Sequence, residues 1–304
     1  MMSAMTVPTL FDQQLIRQHR QRAAPSYADF AFLKDAAAAR LADRLELMRR
    51  DFDLCLDIGA HDGRLAQYFA KLGKIGHMVH ADPAEKFAIA TKQHGPGVVH
   101  ALGELPYKPE SFDAVFSCLS LHWVDDLPGL LMQARQLLKP DGLLLFNLLG
   151  GNSLTELKQV LAEAEQDITG GLSPRCAPMA DIRDIGGLMS RAGLALPVAD
   201  SDRLTVNYPH MFKLMADLRG MGEQNALLSR LKIPTRRQVF IRAAEIYQQR
   251  FGGADGQIPA SFEIVTLTGW APHESQQKPL RPGTALHRLA SVLETEEQDP
   301  EVGV

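Results

Sequence analysis

Apolar positions in the first half of the chain keep switching between helical spacing and short continuous runs, a pattern that predicts alternating helices and strands. Leu33, Ala37, Leu41, Leu45 and Met48 lie three or four apart in an Ala-, Leu- and Arg-rich stretch, which predicts a helix over residues 34–50. A strand over 53–58 follows, then a glycine-containing turn over 59–63. Leu65, Tyr68, Phe69 and Leu72 mark the next helix. The same unit recurs as a strand near 77–81, a helix from Glu85, strands near Val98 and over 112–118, a helix over 127–138 and a strand over 143–147. Parallel strands need crossovers, and helices alternating with strands supply them.

Beyond Asn147 the rhythm changes. A helix over about 153–168, a Gly- and Pro-bearing loop through Pro178, a helix through Ala192 and a strand-like stretch at 204–208 come first. Residues 211–251 read as helical with one break near Pro234, and 262–270 alternate like a closing strand. The expectation is an α/β fold: a doubly wound, mostly parallel seven-stranded sheet with an N-terminal helix and a helical insertion before the last strand. Its parts would be an arm and helix (1–50), a core (51–150), a C-terminal half with a helical cap around 210–250 (151–285) and a disordered acidic tail (286–304).

Composition narrows the function. A chain of 304 residues with 45% hydrophobic and 22% charged positions is ordinary globular material, sized for one enlarged domain. The net charge is -4, and the tail acids Glu294, Glu296, Glu297, Asp299 and Glu301 account for it, which leaves a body too neutral for nucleic-acid backbone binding. Cys55, Cys118 and Cys176 are too scattered for a disulfide framework or a CxxC metal site. The most apolar stretch, 142–151, is about half the roughly 20 residues a membrane-spanning helix needs. Arg17, His19, Arg20 and Arg22 have the flavour of a transit peptide, against which Asp12 counts.

The first βα turn carries the candidate chemistry, because backbone amides and a helix N-terminus there can hold a carboxylate or phosphate. Asp57, Gly59 and Gly63, with Ala60 between them, fit the pattern acid-x-Gly-x-Gly-x-Gly except that His61 replaces the middle glycine, where its ring would crowd a ligand. Asp82, nineteen residues beyond Gly63 at the end of the second strand, is placed to accept two ribose hydroxyls. His80 and Asp82 have the spacing of half an iron triad, but no third ligand is indicated and no metal is expected. Cys118 falls in a strand expected to be buried, where a thiol is inert packing.

These residues resemble the first motifs of class I S-adenosylmethionine (SAM) methyltransferases, and GELPY (103–107) followed by SFDAV (111–115) resembles that family's next segment. The usual adenine-side acid falls on Ala101, so the resemblance leaves that contact to Leu102 and Glu104. It places Ser120 and Leu121 along the sulfonium and makes His122 a candidate proton acceptor, with Trp123 packing. Beyond the SAM region, LFD (10–12), SLHWVDDLP (120–128), GGNSLTEL (150–157), NYPHMF (207–212), DLRGMGE (217–223) and GWAPHESQ (269–276) resemble the complex I assembly factors classed as protein-arginine hydroxylases. That likeness spans about 9–285. The biotin-synthesis malonyl-carrier-protein O-methyltransferases resemble the chain more distantly.

The resemblance implies SAM as cofactor and an arginine on a protein substrate, a subunit of complex I. Tyr208, Glu223, Trp270 and Glu274 are candidates for meeting a guanidinium, with His122, Tyr208 and Glu223 in catalytic roles and His273 an ordinary polar residue. Because similarity begins at Leu10, it also implies a bacterial cytoplasmic protein that reaches the inner membrane only through its partner. Two other readings stay open: a small-molecule or acyl-carrier-protein O-methyltransferase, and an assembly chaperone without cofactor, suggested by His61 and Ala101.

Overall fold

The structure, a computed structural model, describes residues 8–277. The proposed tail at 286–304 lies outside the described residues. Seven strands, β1 (Phe52–Ile58), β2 (Ile75–Ala81), β3 (Gly97–Val98), β4 (Phe112–Cys118), β5 (Leu138–Leu149), β6 (Ala195–Tyr208) and β7 (Ile258–Trp270), form one sheet in the order β3-β2-β1-β4-β5-β7-β6. β1, β2, β3, β4 and β5 pair in parallel, and β7 enters antiparallel between β5 and β6. The central strands are mostly apolar because both faces are covered, with Asp57, Ser117 and Asn147 as buried polar exceptions.

On one face, α2 (Phe32–Leu47), α3 (Arg64–Ala70), α6 (Thr155–Thr169), α8 (Met211–Met221) and α9 (Arg237–Phe251) bury Leu41, Phe69, Val160, Leu214 and Ala243 against Phe116 and Leu145. On the other, α5 (Leu127–Leu137) and α7 (Ile182–Arg191) bury Leu130, Leu131, Ile185 and Met189 against Val115 and Leu144. α4 (Glu85–Ala90) joins β2 to β3. Residues up to Pro272 form one compact unit; His273–Gln277 belong to a separate segment, in which His273 Nδ1 lies 2.7 Å from Ser275 Oγ.

Three features depart from the sequence reading. First, a helix precedes the expected one: α1 (Gln13–Ala23) is capped by Asp12, whose carboxylate accepts the Leu15 N–H at 3.0 Å, and is followed by a 3-10 turn over Ala24–Phe30. Its apolar period is faint because half of its buried face is His19 and Arg20, with only Ile16 and Ala23 beside them. Second, the break in the cap is not a kink at Pro234 but a long crossing, 222–236. It starts where Gly222 turns left-handed (φ +82) and pairs with the N-terminus through the bridge Phe11–Leu227. Third, β6 is fourteen residues long rather than five. Its exposed positions include Leu196 and Val198 as well as polar Ser201, Asp202, Arg203, Thr205 and Asn207, and Arg40 and Arg44 of α2 hold Asp202 and Asp200.

Candidate active site

The carboxyl ends of β1, β2 and β4 meet where the strand order reverses, the crevice in which open α/β sheets bind ligands. The turn after β1 has the backbone the motif predicts. Gly59 (φ +70) and Gly63 (φ +78) are left-handed, and a Cβ on Gly59 would collide with Ser120. His61, at the missing glycine, still takes a left-handed φ of +52, which a side chain adopts at some cost in strain.

Asp82 stands where the sequence puts it, and its carboxylate is already taken. Arg20 of α1 donates from Nη1 to Asp82 Oδ2 at 2.6 Å and from Nη2 to Ser120 Oγ at 2.9 Å, with the Arg20 and Asp82 side chains 2% and 0% exposed. The His61 N–H also donates to Oδ2 (3.0 Å) and the Ala84 N–H to Oδ1 (2.9 Å). The Ser120 hydroxyl in turn donates to Gly59 O at 2.8 Å, so the guanidinium bridges the ends of β2 and β4 across the first turn.

His61 fills the rest, as its bulk predicts. Its ring is 1% exposed, stacks on Tyr27 (4.9 Å, 19°) and meets Phe87 edge-on. Lys34 donates to Gly59 O at 3.0 Å and lies 2.6 Å from His61 Nδ1. Burial, with Arg20 and Lys34 close by, holds the His61 pKa well below its ordinary value, so the imidazole is neutral.

The amides expected to receive a carboxylate are spent: Gly59 and Ala60 N–H both donate to Ala81 O, at 2.8 and 3.0 Å. Asp57 lies beneath them, buried, with Oδ2 3.3 Å from His80 Nδ1 and Oδ1 unpartnered. His80 thus pairs with Asp57 instead of joining Asp82 around an ion. Leu102 packs over Gly59, Leu121 is buried and Glu104 is exposed. The cavity beside Tyr27 and Lys34 holds about 20 Å³, room for one water, and none of Asp57, Gly59, His61 and Asp82 lines it. The acidic frame has the chemistry for SAM; in this arrangement Arg20 holds its carboxylate and Ala81 O takes the first two amides.

A second chamber lies at the carboxyl end of β5. About 250 Å³ in volume, it is walled by Leu149, Leu157, Leu161, Met179, Met215, Leu218 and Phe240, with Lys158, Arg175 and Arg219 among its polar groups. Trp123 and Glu223 close its inner end. Glu223 Oε2 accepts from Trp123 Nε1 at 2.7 Å and lies 2.9 Å from His122 Nε2. Burial alone would raise the Glu223 pKa, but His122, Arg20 and Trp123 outweigh it and the carboxyl sits below its usual range, charged. A ring that donates from Nε2 leaves His122 Nδ1 a bare acceptor, and that atom is buried without a partner.

Of the sequence candidates, the structure brings His122 and Glu223 together, and Tyr208 and Trp270 lie apart from this pair. Tyr208 reaches the same sheet edge but is buried in the apolar core with its hydroxyl toward Asp217. Trp270 lies opposite Leu143, six residues before the carboxyl end of β5 at Leu149, where the chamber lies. Glu274 belongs to the separate segment after Pro272. Cys118 is fully buried and its thiol is pushed up to about 12. Sequence reasoning missed Arg20, Tyr27 and Lys34. The only signal was a run of arginines on a polar stretch.

With this geometry in view, the comparisons decide the family. The family described as a methyltransferase domain matches residues 56–146. Human mitochondrial arginine-hydroxylase NDUFAF5 is 40% identical over 281 residues, 91% of this chain and 81% of that protein. The chain belongs to the arginine-hydroxylase NDUFAF5 family. The malonyl-[acyl-carrier protein] O-methyltransferase of Xylella fastidiosa is 32% identical, covering 86% of this chain and 89% of its own. A Haemonchus contortus phosphoethanolamine N-methyltransferase 2, solved with S-adenosyl-L-methionine, superposes with a TM-score of 0.51 at 15% identity over 85% of this chain and 60% of its own, a likeness of fold alone. The protein is an enzyme of the SAM-dependent methyltransferase superfamily, with that superfamily's seven-stranded sheet.

Proposed function

We propose that the protein acts on an arginyl side chain of a protein partner, a complex I subunit under assembly, and takes SAM as its cofactor at Asp57, Gly59, Gly63 and Asp82. The observation that carries the substrate half is Glu223: a charged carboxylate at the inner end of an apolar chamber, beside an aromatic face. Both of its bonds fall on Oε2, so Oε1 keeps its capacity to accept from a guanidinium. The apolar walls suit the methylenes of the side chain, and Lys158 and Arg219 suit acidic neighbours on the partner. His122, oriented by Glu223 in the way a carboxylate orients a catalytic imidazole, is the group that would take a proton, at Nδ1. No described helix is long and apolar enough to cross a membrane, so contact with the inner membrane would come through the partner.

The support for the cofactor half is the motif frame and the family; the closed crevice counts against it in this arrangement. The test is mass spectrometry of a candidate complex I subunit after aerobic incubation with the protein, SAM and a two-electron reductant, since placing one atom of dioxygen in a C–H bond sends the other to water and consumes two electrons. One added oxygen on arginine is the expected product, and a product unchanged by Glu223→Gln would remove the chamber from the reading.

One feature favours a second reading. Leucine, methionine and phenylalanine walls with lysine and arginine at hand also suit an acyl chain ending in a carboxylate, as on a carrier-protein ester. A methyl gain on such an ester, with none of the oxygen, would establish it.

A further inference from the structure

We infer that Arg20 is an internal competitor for the SAM site: its guanidinium occupies Asp82, and an adenosyl ligand binds only when Arg20 withdraws. This rests on the cofactor half of the proposed function.

Asp82 has four good acceptor positions, and Arg20, the His61 N–H and the Ala84 N–H use three of them with the carboxylate wholly buried. A ribose diol has to take the place of the guanidinium, because the two backbone donors are fixed by the turn and by the start of α4. Arg20 reaches over the switch point itself, from the end of β2 to Ser120 at the end of β4. A purely structural ion pair would not need the rest of the seat: the left-handed glycines, the Ser120 hydroxyl on Gly59 O and a buried Asp57 oxygen with no partner. Those are the features of a ligand site, and Arg20 stands in the middle of it.

The helix that delivers Arg20 buries Ile16, His19, Arg20 and Ala23, and besides the Arg20 pair it is held by Gln13 Nε2 donating to Trp123 O at 3.1 Å and Gln21 Oε1 accepting from the Lys86 N–H at 3.1 Å. Its N-terminal end is tied separately, by the Asp12 N–H to Ala226 O at 2.8 Å and by Arg230 to Asp12 at 3.1 Å. Withdrawal of the arginine end therefore breaks the Arg20 pair and the Gln21 bond to the Lys86 N–H while the N-terminal ties stay in place. Tyr27, which stacks on His61, follows in the next turn, so withdrawal of this segment opens both halves of the crevice.

Calorimetric titration with S-adenosylhomocysteine on the full chain tests this, comparing wild type with Arg20→Met and Arg20→Met/Asp82→Asn. Circular dichroism shows that each is folded, and hydrogen exchange is followed over residues 13–30. The expected result is at least tenfold tighter binding by Arg20→Met, loss of that gain in the double variant, and faster exchange of residues 13–30 in the wild type on saturation. Equal or weaker binding by Arg20→Met, or slower exchange of that segment on saturation, overturns the competition and leaves the cofactor assignment standing. No heat from any of the three removes the cofactor assignment and the competitor together, leaving Asp82 a structural acid and the chaperone reading in its place.

Discussion

Replacing Asp82 with Asn strands a charge. The Arg20 and Asp82 side chains are 2% and 0% exposed and 2.6 Å apart, so the guanidinium has no water to fall back on. At an effective dielectric near 20 and about 4 Å between charge centres, their attraction is about 4 kcal/mol. Removing one member of such a pair costs about 3–5 kcal/mol, mostly for the partner left buried and charged. The reverse change is milder: in Arg20→Met the carboxylate keeps the His61 and Ala84 N–H donors, for an expected cost of about 1–3 kcal/mol. The double variant should recover much of the loss, with a coupling of about 2–4 kcal/mol. Urea unfolding of all four proteins at neutral pH measures this, and the coupling should survive 1 M salt because the pair is not screened by solvent. Additivity within about 0.5 kcal/mol, or a coupling that vanishes in salt, would show that the two side chains are not buried together and refute the reasoning.

Glu223→Gln keeps an acceptor for Trp123 while removing the charge. It should lower turnover of an arginine substrate at least 100-fold at a stability cost near 1 kcal/mol, read by product mass spectrometry beside a thermal melt; unchanged turnover would contradict the role given to Glu223. Tyr208→Phe, which lacks only a hydroxyl remote from the chamber, should keep activity within about twofold, and a large loss would return Tyr208 to the chemistry. Glu165 is held at about 2, below its ordinary 4.5: burial opposes this, but bonds from Arg175 and Ser173 win. Its contribution is therefore complete above about pH 4.5 and lost as pH falls toward 2, so Glu165→Gln should cost about 2–3 kcal/mol at pH 7 and progressively less below pH 4.5. A pH-independent difference in unfolding free energy would rule this out. His61, neutral and depressed by burial, should make the closed crevice less stable as pH drops below 6.5, seen as faster exchange around residues 58–63 in wild type but not in His61→Gly.

The sheet was legible because its information is local. Strands such as Phe112–Cys118 are mostly apolar, with Asp113 and Ser117 the exceptions, the glycines at 59 and 63 announce a left-handed turn, and Asp82 lies one βα unit further on. The errors fall where local pattern and burial part company. β6 is long and largely polar on its outer face, so only its last five residues looked like a strand. Trp270 and Glu223 both stood as candidates for meeting a guanidinium, Glu223 in a catalytic role besides, and only the antiparallel entry of β7 carries Trp270 away from the carboxyl end of β5.

What the sequence by itself determined is the order of elements, the acidic frame at the switch point and the family, since each follows from spacing and side-chain type along the chain. What only the tertiary structure decided is who meets whom: Arg20 on Asp82 across 62 positions, His122 on Glu223 across 101. Ion pairs of that kind are made by whatever the packing of α1 and α8 brings within reach, and a charged residue facing inward leaves the same trace in a sequence as one facing water until its partner is placed beside it.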